Sequence, residues 1–557
     1  MSGPTPSQDG AKKIMQTSEF DHIIVGAGSA GCVLAGRLTE DPHCRVLLLE
    51  AGGWDRDPLI SIPLGWGQMY TRKLHDWRFP TVPENVLNNR EIECARGKVV
   101  GGSSSTNAMA YVRGHSGDYD RWAGNGLPNW SFSHVLPYFR RQESWAGGEN
   151  FYRGGSGPLT TQFTKFEDPL VEAIIDAGAE AGFPWTDDYN GAQQEGLCRV
   201  QMTIRNGRRC SASAAYLRPA SSRSNLTVTV QALVLRLLFE GARVVGVEYE
   251  RKGERHFARA PSVILSGGVI NSPQLLMLSG IGDPDGLRRL GIEPRVALRG
   301  VGRNLQDHLS PIVRFRRRTS GPVFKRMRLD RIATDMSRAF LFGTGMASDV
   351  PCGVIGFLKS DEGQSLPDLQ FILNAAPLTA KPYMHSRHAY ADGFAFRIVL
   401  LRPKSRGEVT LRSADPHAAP IIHQRFLTAP EDWAGLRAGL RISRELASRQ
   451  ALAPFSGGQI NSPADHSDAA LDAFIGAHSL TTHHPSGTCR MGKADDAMAV
   501  VDERLKVIGL DGLHIVDASV MPDLVGGNIN AAVLMIAERA ADMIRNRPLL
   551  AAAAAAH

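Results

Sequence analysis

Long apolar runs are absent from this chain of 557 residues, and its cysteines are few. No stretch reaches the ~18 consecutive apolar residues that a membrane-spanning helix requires. The seven cysteines are scattered and form no C-x-x-C pair, which argues against both a disulfide framework and a zinc site. Residues 1–20 are polar and lack the apolar core of a secretory signal. Together these absences predict a cytoplasmic protein that binds no metal.

A strong net charge is also lacking. The 63 basic and 56 acidic residues leave a formal charge of +7, so we do not expect nucleic acid as a partner. Residues 314–331 are the one concentrated basic segment, and two interpretations of it stay open. It is either a solvated loop or a weak peripheral membrane contact, in which Val323, Phe324, Met327 and Leu329 enter the lipid interface.

Glycine, by contrast, is abundant, and its most informative cluster lies near the start of the chain. Gly26, Gly28 and Gly31 form G-x-G-x-x-G directly after an apolar run at 23–25, and a second apolar run at 46–49 ends at Glu50. In a β-α-β unit these glycines allow a tight turn, a close approach of the backbone to a pyrophosphate, and packing of helix on strand. The pattern predicts a dinucleotide-binding site in which Glu50 binds a ribose.

Two polar clusters towards the end of the chain are candidates for chemistry. His483 and His484 precede a proline, and the absence of nearby further ligands argues against metal. A histidine titrates near neutrality and suits a general base, although a structural role is the alternative. Asn528 and Asn530 lie where a helix is predicted to begin, near Asn530. They either cap that helix or face a bound anion or ring.

Apolar periodicity predicts several further elements. Residues 226–250 fit a hairpin around Gly241, and residues 262–265 fit a buried strand. Helical spacing covers 272–282, and short strands are expected at 397–401 and 408–411. Residues 310–479 have longer polar connections and predict mainly a second domain, whereas 551–557 form a low-complexity tail.

Six motifs in order resemble those of the glucose-methanol-choline (GMC) oxidoreductases. They are the glycine turn with Glu50, GKVVGGSSSTN from Gly97, SPQLLMLSGIG from Ser272, GRNLQDH from Gly302, HHPSGTCRMG from His483 and DASVMPDLVGGNIN from Asp517. The resemblance covers about residues 20–547 and is greatest to the branch of bacterial choline dehydrogenases and alcohol dehydrogenases.

That resemblance implies an α/β plus α+β fold. It contains a Rossmann-like FAD-binding domain built from separated segments and a substrate domain with a mostly antiparallel sheet. The implied FAD-binding segments are 20–160, 205–312 and 486–547, the last with catalytic residues. Residues 161–204 would belong to the substrate domain and its connection, and residues 313–485 would form the main part of that domain.

The same resemblance assigns site residues. Those implied to contact FAD are Gly26, Gly28, Ser29, Ala30, Gly31, Glu50, Ala51, Val100, Gly101, Gly102, Asn107, Ala108, Met109, Ala110, Val234, Asp517, Ala518 and Asn530. The catalytic histidine of the family corresponds to His484, and the second catalytic position, His or Asn in different members, corresponds to Asn528. Several oxidases of the family bind FAD covalently through a histidine at the position of Thr106, so we expect non-covalent FAD here.

The implied reaction is oxidation of a primary alcohol to its aldehyde. His484 would take the hydroxyl proton, Asn528 would hold the oxygen, and FAD would accept a hydride. Residues 351–390 hold Phe357, Phe371, Tyr383 and Tyr390 but few acids, which favours an uncharged alcohol over choline. Dioxygen and a quinone-type molecule are both candidate electron acceptors.

Other activities of the family remain as alternatives. A light-driven fatty acid decarboxylase uses a cysteine and an arginine over the flavin; Cys352 lies near the corresponding cysteine, but residues 369–373 hold no arginine. A hydroxynitrile lyase and a redox-inactive flavin-binding protein are further alternatives. The paired His484 and Asn528 favour oxidation.

Overall fold

The structure is a computed structural model that describes residues 20–377, 380–384 and 390–554. The polar segment in which we expect no secretory signal lies outside this range except for Phe20, as does the end of the alanine-rich tail. Parts of the 351–390 region also lie outside it.

A five-stranded parallel sheet is assembled from distant parts of the chain. In spatial order its strands are Leu513–Ile515, Ser262–Leu265, His22–Val25, Val46–Glu50 and Leu226–Val230. The runs VLLLE and SVIL are almost wholly buried, as is typical of strands covered on both faces. This sheet confirms the Rossmann-like domain built from separated segments.

Helices pack against this sheet and against the second, antiparallel sheet. The α-helices are Ser29–Leu38, Pro58–Ser61, Trp66–Arg72, Ser103–Thr106, Ser116–Gly124, Phe132–Gln142, Pro169–Glu180, Arg218–Ala220, Gly268–Leu278, Pro284–Arg289, Pro322–Arg326, Leu329–Phe342, Pro430–Ala447, Asp468–His478 and Asn530–Ile544. The π-helix Ser213–Leu217 precedes one of them. No helix within the described ranges is long and apolar enough to span a bilayer.

The first and last of these helices are joined by a buried charge network. Glu538 is fully buried and accepts hydrogen bonds from Arg37, Arg141 and the Tyr216 hydroxyl, each at 2.8 Å. Removing one partner of a buried ion pair costs ~3–5 kcal/mol, because a buried charge is left uncompensated. The network therefore fixes the relative position of Ser29–Leu38 and Asn530–Ile544, whose N-termini meet at the glycine turn.

A seven-stranded antiparallel sheet, here called the roof sheet, forms the second layer. Its strands in order are Ser456–Gln459, Leu309–Arg317, Gly393–Leu400, Leu369–Asn374, Cys352–Leu358 and Gly196–Arg199, with Ser479–Thr481 also pairing to the second of these. This sheet confirms the mostly antiparallel architecture expected of the substrate domain.

The remaining strands of the described residues form two three-stranded sheets and three strand pairs. They are Ala232–Glu240, Arg243–Arg251 and Glu254–Arg259 in one sheet, Glu143–Trp145, Leu159–Phe163 and Gln201–Met202 in another, and the pairs Ile204–Arg205 with Arg208–Arg209, Ile281–Gly282 with Val296–Ala297, and Glu408–Thr410 with Ile421–His423.

The region expected to form one hairpin is divided between two sheets. Leu226–Val230 completes the parallel sheet, Gln231 adopts a φ of 56°, and the hairpin around Gly241 begins at Ala232. Alternation of apolar and polar residues fits either sheet, and the left-handed turn at a glutamine carries no strong sequence signal. Val234 therefore lies in the first strand of the hairpin rather than in the parallel sheet.

The helix expected over 272–282 runs instead from Gly268 to Leu278 and contains Pro273. Proline lacks an N–H and leaves the carbonyl four residues earlier without its helical partner. Here that carbonyl belongs to Val269, and it accepts a hydrogen bond from the Thr488 hydroxyl at 2.6 Å. A contact from far along the chain thus allows the helix to begin earlier than the proline suggests.

The basic segment 314–331 is mostly regular secondary structure rather than a loop: it contains the end of a strand, helix Pro322–Arg326 and the start of helix Leu329–Phe342. Its first residues belong to the roof strand Leu309–Arg317, and Arg317 forms a buried ion pair with Asp168 at 2.6 Å. Val323 and Met327, which we expected in a lipid interface, are buried at 2% and 9% exposure. That part of the membrane hypothesis is wrong, because these side chains pack into the protein.

Candidate active site

A continuous cavity connects the glycine turn with the roof sheet. Gly26, Glu50 and Val234, which are predicted to bind the nucleotide, line the same cavity as the predicted catalytic residues His484 and Asn528. The structure therefore brings together residues from nearly the whole length of the chain. Every site residue predicted from the sequence lines this cavity except Gly31, Val100 and Gly101.

Those three residues lie behind the cavity wall and shape it. A Cβ atom at Gly31 would lie 1.9 Å from the Gly26 carbonyl oxygen. Val100 is fully buried, and the Gly101 N–H donates to the Ala27 carbonyl at 2.7 Å. Their contribution is close packing against the glycine turn, and none of them faces the cavity.

The glycine turn has the features of a dinucleotide site. Helix Ser29–Leu38 begins without a side-chain cap, so the N–H groups of its first turn are available to an anion. A Cβ at Gly102 would lie 2.7 Å from the Gly28 Cα, so only a glycine allows this segment to pack so closely against the glycine turn. Glu50 accepts hydrogen bonds from the Ala27 and Gly52 N–H groups at 2.8 Å each, and burial raises the pKa of Glu50 to about 7.

Asn107 is held by a residue that could not be predicted from the sequence. Arg209 is buried, and its Nη1 donates to the backbone carbonyl and the Oδ1 of Asn107 at 2.6 and 2.7 Å. Burial lowers the pKa of Arg209 to about 9. Met109 follows with a φ of 63°. Arg209 and Asn107 are 102 positions apart, so no local sequence pattern could have linked them.

Asn530 joins the two helices that begin at the cavity. Its Oδ1 accepts a hydrogen bond from the Ser29 hydroxyl at 2.8 Å, and helix Asn530–Ile544 has no side-chain cap. Asp517 is equally fixed, since its Oδ2 accepts from Gly268 N–H at 2.9 Å and from the Ser272 hydroxyl at 2.6 Å. The capping interpretation of Asn530 is therefore wrong: its amide oxygen bonds to the neighbouring helix.

His484 is the centre of a chain of hydrogen bonds. Its Nε2 lies 3.1 Å from Asn528 Nδ2. Its Nδ1 lies 3.0 Å from His308 Nδ1 and 3.0 Å from the Thr482 hydroxyl. His308 belongs to the GRNLQDH motif, so the sequence offered the residue but no role for it.

This chain fixes the tautomer of His484. The Nε2 of His308 is 3.0 Å from the Leu401 carbonyl, and a carbonyl can only accept, so His308 carries its proton on Nε2. Its Nδ1 must then accept, and the donor must be the Nδ1–H of His484. The Nε2 of neutral His484 therefore presents its lone pair towards Asn528.

Both histidines are held neutral. Burial is the main cause that lowers the pKa of His484 well below its ordinary value, and the positive charge of Arg96 adds to the shift. Burial lowers the pKa of His308 to about 4. Since a base must be unprotonated to act, His484 keeps its lone pair in neutral and mildly acidic solution.

Asn528 and His483, the other two polar candidates near His484, point in different directions. Gln370 Nε2 donates to Asn528 Oδ1 at 3.2 Å, which leaves the Asn528 amide pointing at His484. The His483 side chain turns away: its Nε2 is 3.5 Å from Glu93, and its ring packs edge-on against Tyr70 at 5.7 Å. The structure thus places His484, rather than His483, beside Asn528.

The aromatic residues expected over the substrate lie elsewhere. Phe357 and Phe371 are fully buried in the hydrophobic core, because alternate residues of a roof strand face opposite sides. Tyr383 and Tyr390 pack around Phe324. The aromatic rings that line the cavity are instead those of Trp66, Tyr70 and Trp77, from a region that the sequence did not single out.

Comparison with known proteins gives consistent matches over nearly the full chain. The N-terminal model of GMC oxidoreductases matches residues 20–310, and the C-terminal model matches residues 403–537. Mitochondrial choline dehydrogenase of Mus musculus is 43% identical over 98% of this chain and 93% of its own. Oxygen-dependent choline dehydrogenase 1 of Chromohalobacter salexigens is 42% identical over 96% of both chains. The crystal structure of pyridoxine 4-oxidase from Mesorbium loti superposes with a TM-score of 0.86 at 33% identity, covering 95% of this chain and 100% of that one.

Proposed function

The chain belongs to the GMC oxidoreductase family and is an FAD-dependent oxidoreductase acting on CH–OH donors, and from this premise we propose that it oxidises a primary alcohol to the aldehyde. The observation that carries the proposal is the unprotonated Nε2 of His484 facing the Asn528 amide at 3.1 Å. When bound, FAD supplies the acceptor for the hydride that leaves the carbinol carbon.

The residues of the cavity fit FAD. The uncapped helix start at Ser29 suits the pyrophosphate, and Glu50, which lines the cavity, suits the ribose hydroxyls. Thr106 also lines the cavity and has no ring nitrogen with which to form the covalent histidyl bond of some relatives. FAD is therefore held by non-covalent contacts.

The protein side of the reaction is a proton transfer at one oxygen. A substrate hydroxyl that lies within reach of both His484 Nε2 and Asn528 Nδ2 can donate to Nε2 while it accepts from the second N–H of the Asn528 amide. As the proton moves to Nε2, the imidazolium that forms keeps its Nδ1–H bond to His308. The Asn528 N–H then stabilises the negative charge that develops on oxygen, and such a donor contributes more as charge develops.

A panel of alcohols tests this function. The purified holoenzyme, mixed anaerobically with primary aliphatic alcohols, benzyl alcohols and choline, should lose its oxidised flavin absorbance with at least one primary alcohol. Readmission of air then shows whether dioxygen or another acceptor, such as a quinone, restores it. Failure of every alcohol to bleach the flavin would contradict the proposal and favour the redox-inactive alternative.

The charged side chains of the cavity affect two alternative substrates, choline and fatty acids. Similar proteins are choline dehydrogenases, and Trp66 and Tyr70 could pack on the ammonium group of choline. However, the guanidinium groups of Arg96 and Arg397 line the same cavity and repel a cation. Residues 369–373 hold no arginine, but Arg397 on the neighbouring strand lines the cavity and could take that role. The photodecarboxylase therefore stays an alternative, and the paired His484 and Asn528 favour alcohol oxidation.

Asn528→Ala should retain FAD and slow flavin reduction about 10²-fold, because the donor to the reacting oxygen is lost. Asn530→Ala is the matched control and should mainly weaken FAD binding, since it loses the contact with Ser29. Stopped-flow reduction rates and the ratio of flavin to protein separate the two effects. Equal FAD loss in both variants would make Asn528 a structural residue.

A further inference from the structure

Arg397 is a cavity-lining cation that the proposed reaction does not use. It lies on roof strand Gly393–Leu400, in register with Ile312 on one side and Ile372 on the other. Its Nε donates to the Ser310 hydroxyl at 2.8 Å, and its Nη2 donates to the Thr481 carbonyl at 2.5 Å. These two bonds hold the guanidinium plane in place and leave Nη1 without a hydrogen-bond partner among the described residues.

The carboxylates near this guanidinium are committed to other groups. Asp307 accepts from two backbone N–H groups and from the Thr481 hydroxyl, and Glu93 accepts from the Tyr70 hydroxyl. Within the described ranges Arg397 forms no ion pair. Burial lowers the pKa of Arg397, and the charges of Asp307 and Glu93 oppose this shift in part.

A second guanidinium, that of Arg96, lines the cavity nearby. Its Nη2 donates to the His483 carbonyl at 2.6 Å, and it too lacks an ion-pair partner in the part of the chain that the structure describes. Arg96 and Arg397 line the same cavity as His484. A partly buried guanidinium without a counter-ion is costly unless a ligand supplies the negative charge.

We propose that Arg397 binds a carboxylate of the substrate, so that the preferred substrate class is primary alcohols with a carboxylate remote from the hydroxyl. This inference rests on the proposed alcohol oxidation, because it names the substrate of the same site. A guanidinium has five N–H donors, so the N–H groups of Nη1 together with the second N–H of Nη2 can form the paired donors that bind a carboxylate. Trp66 and Tyr70 provide an aromatic wall for the body of the molecule between its two polar ends.

The competing explanation is that Arg397 serves only to keep His484 neutral. A purely electrostatic role would change the pH dependence of flavin reduction equally for all alcohols. A binding role changes the preference between a carboxylated alcohol and its uncharged analogue. The ratio between two matched substrates therefore separates the two explanations.

The experiment compares 4-(hydroxymethyl)benzoate with benzyl alcohol on the holoenzyme. The rate constant of anaerobic flavin reduction divided by Kd should favour the carboxylated alcohol by about tenfold to a hundredfold, the range expected for hydrogen bonds to a charged group. Arg397→Gln should collapse this ratio, and Arg397→Lys should retain part of it, since the charge remains without the paired donors. The matched control is Arg316→Gln, at an exposed position of the adjoining roof strand, and it should keep the wild-type ratio.

A binding measurement without turnover completes the test. Benzoate, titrated into the holoenzyme by calorimetry, should bind wild type about tenfold or more tightly than it binds Arg397→Gln. Equal benzoate affinity together with equal use of both alcohols would overturn the carboxylate site and leave alcohol oxidation intact. Benzoate binding that depends on Arg397, without flavin reduction by any alcohol, would support the anion site and contradict the proposed function.

Discussion

His484→Ala should leave FAD bound and lower the rate of flavin reduction by about 10² or more, the usual scale for loss of a general base. The reason is the chain of hydrogen bonds from the Leu401 carbonyl through His308, which presents an unprotonated Nε2 to the substrate oxygen. Alanine removes the proton acceptor at that point. Anaerobic stopped-flow spectroscopy with the best alcohol of the panel measures the rate, and the ratio of flavin to protein checks that the cofactor remains.

His483→Ala is the matched control, because it removes the same side chain one residue earlier. Its ring contacts Glu93 and Tyr70 rather than Asn528, so its loss should cost much less than that of His484. If His483→Ala were the slower variant, the assignment of the base would be wrong by one residue.

Gly31→Ala should be purified with little or no FAD and with a lowered unfolding temperature. The new Cβ would lie 1.9 Å from the Gly26 carbonyl oxygen and 3.0 Å from its carbonyl carbon. Backbone atoms cannot swing aside as a flexible side chain can, so the glycine turn itself has to move. Overpacking of this kind costs ~1–3 kcal/mol and occasionally more, and the displaced turn is the part of the protein that we propose to bind the pyrophosphate.

The flavin-to-protein absorbance ratio and a thermal unfolding curve measure the two effects. Gly124→Ala provides the control, because it also lies in a helix and a Cβ there would meet nothing within 4 Å. A Gly31→Ala protein with wild-type flavin content would show that the turn tolerates the displacement, and would remove the packing argument for that glycine.

The glycine turn and its flanking strands are predictable because their physics is local. A strand followed by a tight turn and a helix requires glycines at a fixed spacing, and this spacing can be recognised in a single sequence. The bounds predicted for strand Ser262–Leu265 are also those observed. The assignment of His484 and Asn528 to one site depended on resemblance to the family. The sequence alone left His483 and His484 undistinguished, since adjacent residues differ in orientation rather than in type.

Contacts between distant segments could not be predicted from the sequence. His308 meets His484 across 176 positions, and Arg397 faces the cavity because of its register in the roof sheet. Phe357 and Phe371 were misplaced for the same reason, because a strand alternates its faces and the sequence did not show which face meets the cavity. Long-range packing, rather than local propensity, decides these positions.

The parallel sheet described above has a consequence for how the protein is made. Strand His22–Val25 pairs with Ser262–Leu265, which pairs with Leu513–Ile515, and Ser29 meets Asn530 across 501 positions. Non-local pairing slows folding, and chains fold from the N-terminus during synthesis at ~5–20 residues per second. The first β-α-β unit must therefore wait for tens of seconds with an unpaired apolar strand edge before its last partners leave the ribosome. During that interval the nascent chain is most exposed to aggregation, and chaperone supply rather than final stability should limit its yield.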